Sequence, residues 1–362
     1  MRDILGDLDR WQQQGEAMAL ATLVQVHGSA PRLPGARMLV TRSGKMAGSV
    51  SGGCVENDVV TRALEVLNEG RAVLARYGIA DDSELAVGLT CAEIEVFIEP
   101  VQASAAWNAV RAALATHAPT VLAVALTPVT LAGRSLAVGV DAGATGTIDD
   151  VLDPAILGAA RALLGSDETT VLELPHAGGS AAVFLEAFAS PLRLVISGGS
   201  HTAVVLARMA KQIGMHVTVI DARSAYLQRE RFPEADRLVH AAPGKALAEL
   251  DLDGAFVVSL THDLKFDVPA LATALRSGAL YVGAMGSQKT HARRCAELED
   301  RGLGSAELAR IRTPIGLDLG SRSPEEIAVA ILAEMLAVRS GHDARPLRER
   351  GMAASGAGAR AR

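Results

Sequence analysis

The apolar positions of this chain follow one grammar up to about residue 190 and another beyond it. Ala17 to Val26 is a nearly continuous apolar run of strand length, and Arg37 to Thr41 is a second. Residues 1–15 read as a helix. Between the two strands, Gly28-Ser29-Ala30-Pro31-Arg32-Leu33-Pro34-Gly35 is dense in turn formers and reads as a loop. Asn57 to Asn68 has helical spacing, with Val59, Val60, Ala63, Leu64 and Leu67 on one face. Ile94 to Ile98 reads as a further strand, stopped at Pro100.

The same grammar then recurs. Ala19-Leu20-Ala21-Thr22-Leu23-Val24 resembles Val121-Leu122-Ala123-Val124-Ala125-Leu126, and Val96-Phe97-Ile98-Glu99 resembles Val183-Phe184-Leu185-Glu186. Helix Val59–Leu67 matches Ile156–Leu164, and Arg37-Met38-Leu39-Val40 matches the run starting at Arg134. This predicts an internal duplication. The copies differ where the helix begins. The first has Ser51-Gly52-Gly53-Cys54-Val55-Glu56, whereas the second has Asp149-Asp150-Val151-Leu152-Asp153-Pro154, with no glycine pair and no cysteine. A turn that needed Gly-Gly-Cys to reach its helix would need it in both copies. That shifts weight toward a function for the first.

After Ala189-Ser190-Pro191, short apolar runs alternate with helical segments. Leu192 to Ser197 is followed by Gly198-Gly199, a helix from about His201 to Ile213, and a strand at His216–Ile220 ending at Asp221. Further strands are expected at 237–241, 254–260 and 279–285. That alternation predicts a doubly wound parallel sheet. Ser323, Pro324 and Glu326 open the last helix as a capping box with proline at its first position. The fold class is therefore α/β: a duplicated N-terminal α/β region, then a Rossmann-like domain. Expected boundaries are 1–100, 101–190 and 191–345, with an Arg/Ala/Gly-rich disordered tail over 346–362.

Composition narrows the function classes. With 362 residues, 49% hydrophobic, there is ample core for folding without a disulfide or metal staple. A formal charge of −6 and 3% aromatic residues argue against nucleic-acid partners. No stretch reaches the roughly 20 apolar residues of a membrane span, and the charged start is unlike a signal peptide, so the cytoplasm is the expected compartment. The cysteines, Cys54, Cys91 and Cys295, are too few and scattered for a disulfide framework.

Several loops could carry chemistry. Gly198-Gly199-Ser200-His201 lies between a strand and a helix, and Asp221 follows 23 residues after Gly198, at a second strand's end. Such an arrangement either binds a nucleotide or phosphate or is a tight strand–helix turn without a ligand. Ser200 stands where the middle glycine of a dinucleotide loop normally lies. His201 sits where backbone N–H groups favour an anion. Thr261-His262-Asp263 and Gly283-Ala284-Met285-Gly286-Ser287 follow the next two strands, so three loops point to one crevice. Cys54, after two glycines and just before a helix, is placed where the nucleophilic, metal-binding thiolate is favoured. Cys295 reads as packing, and Cys91 as a loop thiol with no local demand on it.

These motifs together resemble the XdhC/CoxI family, accessory proteins of molybdenum hydroxylases. The resemblance rests on Gly28 to Arg32, Pro34 to Met38, Gly48 to Glu56, the Gly198 loop, Thr218 to Arg223, Thr261 to Asp263, Tyr281 to Ser287, and Pro314 through Ala328, about residues 15–340. It implies a chaperone that binds the molybdenum cofactor, in its molybdopterin or cytosine dinucleotide form. It also implies support for sulfuration by a cysteine desulfurase and delivery to an apo molybdenum hydroxylase, with a homodimer as the expected assembly. On that basis Cys54 is expected to contact molybdenum or sulfur with Glu56 beside it. Gly52, Gly53, Gly198, Gly199, Ser200, His201, Asp221, Arg223, Thr261, His262, Asp263, Gly283, Gly286 and Ser287 are expected to bind the cofactor. The chain departs from the family's Gly-Ala-Gly-His at Gly198–His201 and from its Cys-Gly-Gly at Cys91-Ala92-Glu93. The competing reading is an NAD(P)- or nucleotide-dependent oxidoreductase using the Rossmann crevice.

Overall fold

The computed structural model describes residues 1, 4–78, 92–140, 143–177, 179–261 and 263–349. It divides into two compact units, Met1–Ser190 and the part beginning at Pro191.

The first unit opens with α1 (Leu5–Gln13), β1 (Met18–Gly28), β2 (Arg37–Thr41), β3 (Met46–Gly48), α2 (Glu56–Glu69), β4 (Val73–Tyr77) and β5 (Ala92–Pro100). It continues with α3 (Ala105–Thr116), β6 (Thr120–Ala125), β7 (Ser135–Gly139), β8 (Ala144–Gly146), α4 (Asp153–Leu163), β9 (Thr169–His176) and β10 (Gly179–Phe188). The strands form two antiparallel sheets of the same order, β3-β2-β1-β5-β4 and β8-β7-β6-β10-β9. The short strands β3, β4 and β8 and the half-buried β9 carry no strong apolar run, which is why pattern alone passes over them.

Burial explains the continuous apolar strands. An antiparallel sheet commonly has one wet face and an alternating sequence. Here α2 covers one face of the first sheet with Val59, Ala63 and Val66 against Ala19, Ala21 and Ile98. The opposite face contributes Val24 and Phe97 to a cluster shared with Leu122, Val124 and Phe184 of the second sheet and with α3. Central strands buried on both faces therefore carry mostly apolar residues, with Thr22, Glu99, Thr120 and Glu186 as buried polar exceptions.

Register corrects one detail of the duplication. Leu20 pairs with Leu39 and Glu99, as Leu122 pairs with Ala137 and Glu186. Met38 faces Gly48, as Leu136 faces Gly146. The equivalent of Arg37 is therefore Ser135, and not Arg134 as the sequence match places it. Gly48 and Gly146 agree with this alignment. Both have positive φ, and a Cβ would fall 2.2 Å from the Arg37 carbonyl oxygen or 2.4 Å from that of Ser135.

The second unit contains β11 (Arg193–Ser197), α5 (His201–Gln212), β12 (His216–Asp221), β13 (Arg237–His240), α6 (Pro243–Ala248), β14 (Phe256–Ser259), α7 (Leu264–Arg276), β15 (Tyr281–Ala284), α8 (Gln288–Glu299), α9 (Ser305–Leu308), β16 (Ile311–Arg312) and α10 (Pro324–Ser340). A one-turn 3-10 helix follows β12 at Ser224–Tyr226. All six strands are parallel, in the order β13-β12-β11-β14-β15-β16. One face of the sheet packs on α5 and α10, the other on α6 and α7. The expected Rossmann-like architecture is thus present, with its switch point between β11 and β14. The capping box of α10 forms as predicted: Ser323 Oγ accepts from the Glu326 N–H, and Glu326 from the Ser323 N–H. No helix among the described residues is long and apolar enough to cross a membrane.

Candidate functional site

In the first unit the connection from β3 to α2 is a loop folded around one carboxylate. Gly52 (φ +85°) and Gly53 (φ +117°) take left-handed conformations that a side chain would strain. Glu56, the first residue of α2, turns back over the loop. It accepts from Ser49 Oγ at 2.5 Å, Ser51 Oγ at 2.6 Å, and the N–H groups of Ser51, Gly52 and Gly53 at 2.9, 3.1 and 2.9 Å. Ser51 Oγ in turn accepts from the N–H groups of Cys54 and Val55. Val50 and Val55 are fully buried on either side, which pins the loop to the core. Cys54 stands exposed on this frame as a free thiol.

Glu56 is thereby a positioning residue rather than a free acid or base, because its oxygens are already engaged. Burial raises its carboxyl, but the hydroxyls of Ser49 and Ser51 and the backbone donors outweigh that and hold it at about 2. Its folded value lies below the unfolded one. Its contribution to stability is therefore present above about pH 4.5 and is lost as pH falls toward 2. Glu56→Gln turns an N–H₂ toward these donors and is expected to cost on the order of 2 kcal/mol at pH 7. Urea unfolding at pH 7 and pH 3 checks it: the gap between the two proteins should narrow at pH 3.

The second copy keeps the clamp and drops the cysteine. Asp153 accepts from Thr147 Oγ1 at 2.6 Å and from the N–H groups of Ile148 and Asp149 at 3.0 and 3.1 Å. Five residues separate Val50 from Glu56, and four separate Ile148 from Asp153. An acid closing this turn is thus common to both copies. The extra residue, the glycine pair and the thiol belong to the first alone.

In the second unit the ends of β11, β12, β14 and β15 bring most of the other candidates together. Gly198 has φ +103°, and a Cβ there would fall 2.6 Å from Thr261 Cγ2. A Cβ on Gly199 would fall 2.5 Å from the Tyr226 carbonyl oxygen. Both glycines thus serve close packing of this turn against the chain's own neighbouring loops. Ser200 caps α5 by accepting from the Ala203 N–H, and His201 begins that helix, exposed.

Asp221 is not open to ribose hydroxyls. Its carboxylate takes Arg223 Nε and Nη2 fork-to-fork, both at 2.9 Å, and the Gly199 N–H at 2.8 Å. Burial raises this carboxyl, and the Arg223 guanidinium with the two backbone donors brings it below its usual value. Arg223 remains half-exposed and stacks on Tyr226, with 3.9 Å from the guanidinium carbon to the ring centre.

Asp263 and Ser287 cap α7 and α8. Gly286 has φ +142°. Gly283 lies within β15, where a Cβ would meet Ile315 Cδ1 at 2.5 Å, so its missing side chain serves packing. His262 and Cys91 lie outside the described residues. Cys295 is partly buried against the core, as packing requires.

Asp267 and Arg294 escaped the sequence reading. Both are fully buried. Arg294 Nε and Nη2 reach Asp267 Oδ2 at 3.0 and 2.6 Å, and Nη2 also reaches the Met285 carbonyl at 2.5 Å. Ser259 and Thr261 donate to Asp267 Oδ1. This pair therefore ties together the loops after β14 and β15. No local spacing announces it, since 27 residues separate the partners.

Comparison with known proteins agrees with this layout. A family model described as the XdhC Rossmann domain matches residues 194–335, and one described as the XdhC and CoxI family matches residues 11–78. A Bacillus subtilis protein named as a probable xanthine dehydrogenase subunit is 28% identical over 92% of this chain and 96% of its own length. The molybdenum cofactor insertion chaperone PaoD of Escherichia coli is 28% identical over 90% of this chain and 84% of its own. A crystal structure described as a xanthine dehydrogenase from Bacillus halodurans superposes with a TM-score of 0.74 at 23% identity, covering 95% of this chain and 98% of that one. This last likeness concerns the fold.

Proposed function

The chain belongs to the XdhC/CoxI family, and from that premise we propose that it is a maturation factor which binds the molybdenum cofactor as cargo and inserts it into an apo hydroxylase of the xanthine dehydrogenase type. The observation that carries this reading is Cys54: an exposed thiol on a Gly-Gly loop clamped by Glu56, and absent from the shorter acid-clamped turn of the second copy. Thiolate is a ligand suited to soft metal and sulfur chemistry. The insertion role of PaoD, a relative over most of the chain, supports the same direction.

In this reading Cys54 contacts the molybdenum–sulfur end of the cargo, and Gly52 and Gly53 let it approach the backbone. Taken by itself, the second unit offers the start of α5 at Ser200 and His201 and the half-exposed Arg223, a dipole and a charge suited to an anion. The cargo is molybdopterin or its cytosine dinucleotide. Sulfuration is the work of a cysteine desulfurase acting while the chain holds the cofactor. A homodimer acting in the cytoplasm completes the reading.

Anoxic co-purification with cofactor in excess tests it. Molybdenum and pterin are expected in comparable amounts with the chain. Cys54→Ala is expected to lose at least tenfold of the molybdenum while its melting temperature stays unchanged. A wild-type protein free of both molybdenum and pterin overturns the reading. A Cys54→Ala protein that retains cofactor and fully activates the hydroxylase removes Cys54 from it. Turnover of NAD(H) or NADP(H) would instead favour the oxidoreductase.

A further inference from the structure

The duplication leaves one buried carboxyl unanswered. In the second copy Glu186 is met by Arg37 of the first. Arg37 Nη1 donates to Oε1 at 2.8 Å and Nη2 donates to Oε2, and Nη1 also donates to the Gly35 carbonyl. The equivalent triad, by strand register, is Glu99, Ser135 and Gly133. The geometry agrees, because a Cβ on Gly35 would fall 2.9 Å from Glu186 Oε1 and one on Gly133 3.4 Å from Glu99 Oε2. Serine replaces the arginine, so the guanidinium that would answer Glu99 is missing from the chain.

Glu99 is only 8% exposed, and among the described residues its carboxyl has no hydrogen-bond or ion-pair partner. Arg134 does not substitute, since its Nη1 donates to the Ile148 carbonyl. Ser135 Oγ shares a hydrogen bond with Ser104 Oγ. In front of Glu99 lies a cavity of about 430 Å³, whose walls include Leu20 from the first copy and Trp107, Gly133 and Arg134 from the second. Burying a carboxyl without a partner costs free energy, and here burial pushes it up to about 8. The volume is enough for a one- or two-ring molecule.

We propose that this cavity binds a small planar molecule whose edge presents two adjacent N–H donors, a guanidine or a 2-amino-4-oxopyrimidine ring, which meets Glu99 as Arg37 meets Glu186. The site lies wholly within the first unit. It does not depend on Cys54 or on the identity of the cargo, so its failure leaves the maturation role untouched.

Two probes separate the sources of that edge: methylguanidine for guanidines, and pterin for the fused heterocycle. Isothermal titration of each into the full chain at pH 8 measures binding. At least one is expected to bind. Glu99→Gln, which replaces one acceptor with a donor, is expected to weaken it at least tenfold. Ser135→Arg supplies the missing guanidinium from the chain itself and is expected to abolish binding and raise the melting temperature. Binding of neither probe overturns the proposal. So does binding that is undiminished in Glu99→Gln, whether or not Ser135→Arg folds.

Discussion

Arg294→Met is expected to destabilise the protein by about 3–5 kcal/mol, because it leaves the Asp267 carboxylate buried and bare. Arg294 and Asp267 are both completely shielded from solvent. Removing one partner of such a pair costs far more than removing both. The companion expectation is therefore that Asp267→Leu with Arg294→Met recovers most of the loss in a double-mutant cycle. Recovery should not extend to the crevice. Asp267 Oδ1 also gathers the hydroxyls of Ser259 and Thr261, and Arg294 holds the Met285 carbonyl. Urea unfolding reads the stability, and hydrogen exchange at Thr261 and Gly286 reads the loops. If the single variant costs under 1 kcal/mol, the pair is not the tie described here.

Glu99 should make stability fall as pH rises. Its folded value of about 8 lies above the unfolded 4.5. The neutral form is the one the fold accommodates, so the contribution is complete below pH 4.5 and is lost as pH climbs through 8. Between those limits each pH unit removes about 1.4 kcal/mol. Arg37 draws the carboxyl down but is committed to Glu186, while Arg71, Arg111 and Arg134 lie along the same cavity. Glu99→Gln is neutral at every pH and should lack this slope. The difference between wild type and Glu99→Gln is expected to move in the variant's favour by about 3 kcal/mol from pH 5 to pH 7. Parallel stability curves for the two proteins over that range would contradict the assignment.

The candidate site divides by the range of the interactions that build it. The Gly52-Gly53 turn, the caps at Ser200, Asp263 and Ser287, and the Glu56 clamp act within a few residues. Their donors and acceptors are neighbours in the chain, so composition and spacing point to the right places. What spacing did not reveal is direction. Glu56 faces inward to its own loop, and Asp221 is closed by Arg223 only two residues on. Either acid reads in sequence as free to meet a ligand.

By itself the sequence determined the strongly apolar strands and the main helices, the doubly wound second unit and the duplicated first one. Local periodicity, capping and glycine conformation operate over two to four residues, and every copy of an element carries its own signal. Tertiary structure alone decided which distant charges meet. Arg37 reaches Glu186 across 149 residues and Arg294 reaches Asp267 across 27. Those meetings depend on strand register and on which face each helix buries. A shift of a single residue in the register of β7 separates Arg134 from Ser135, and with it a filled triad from an open one.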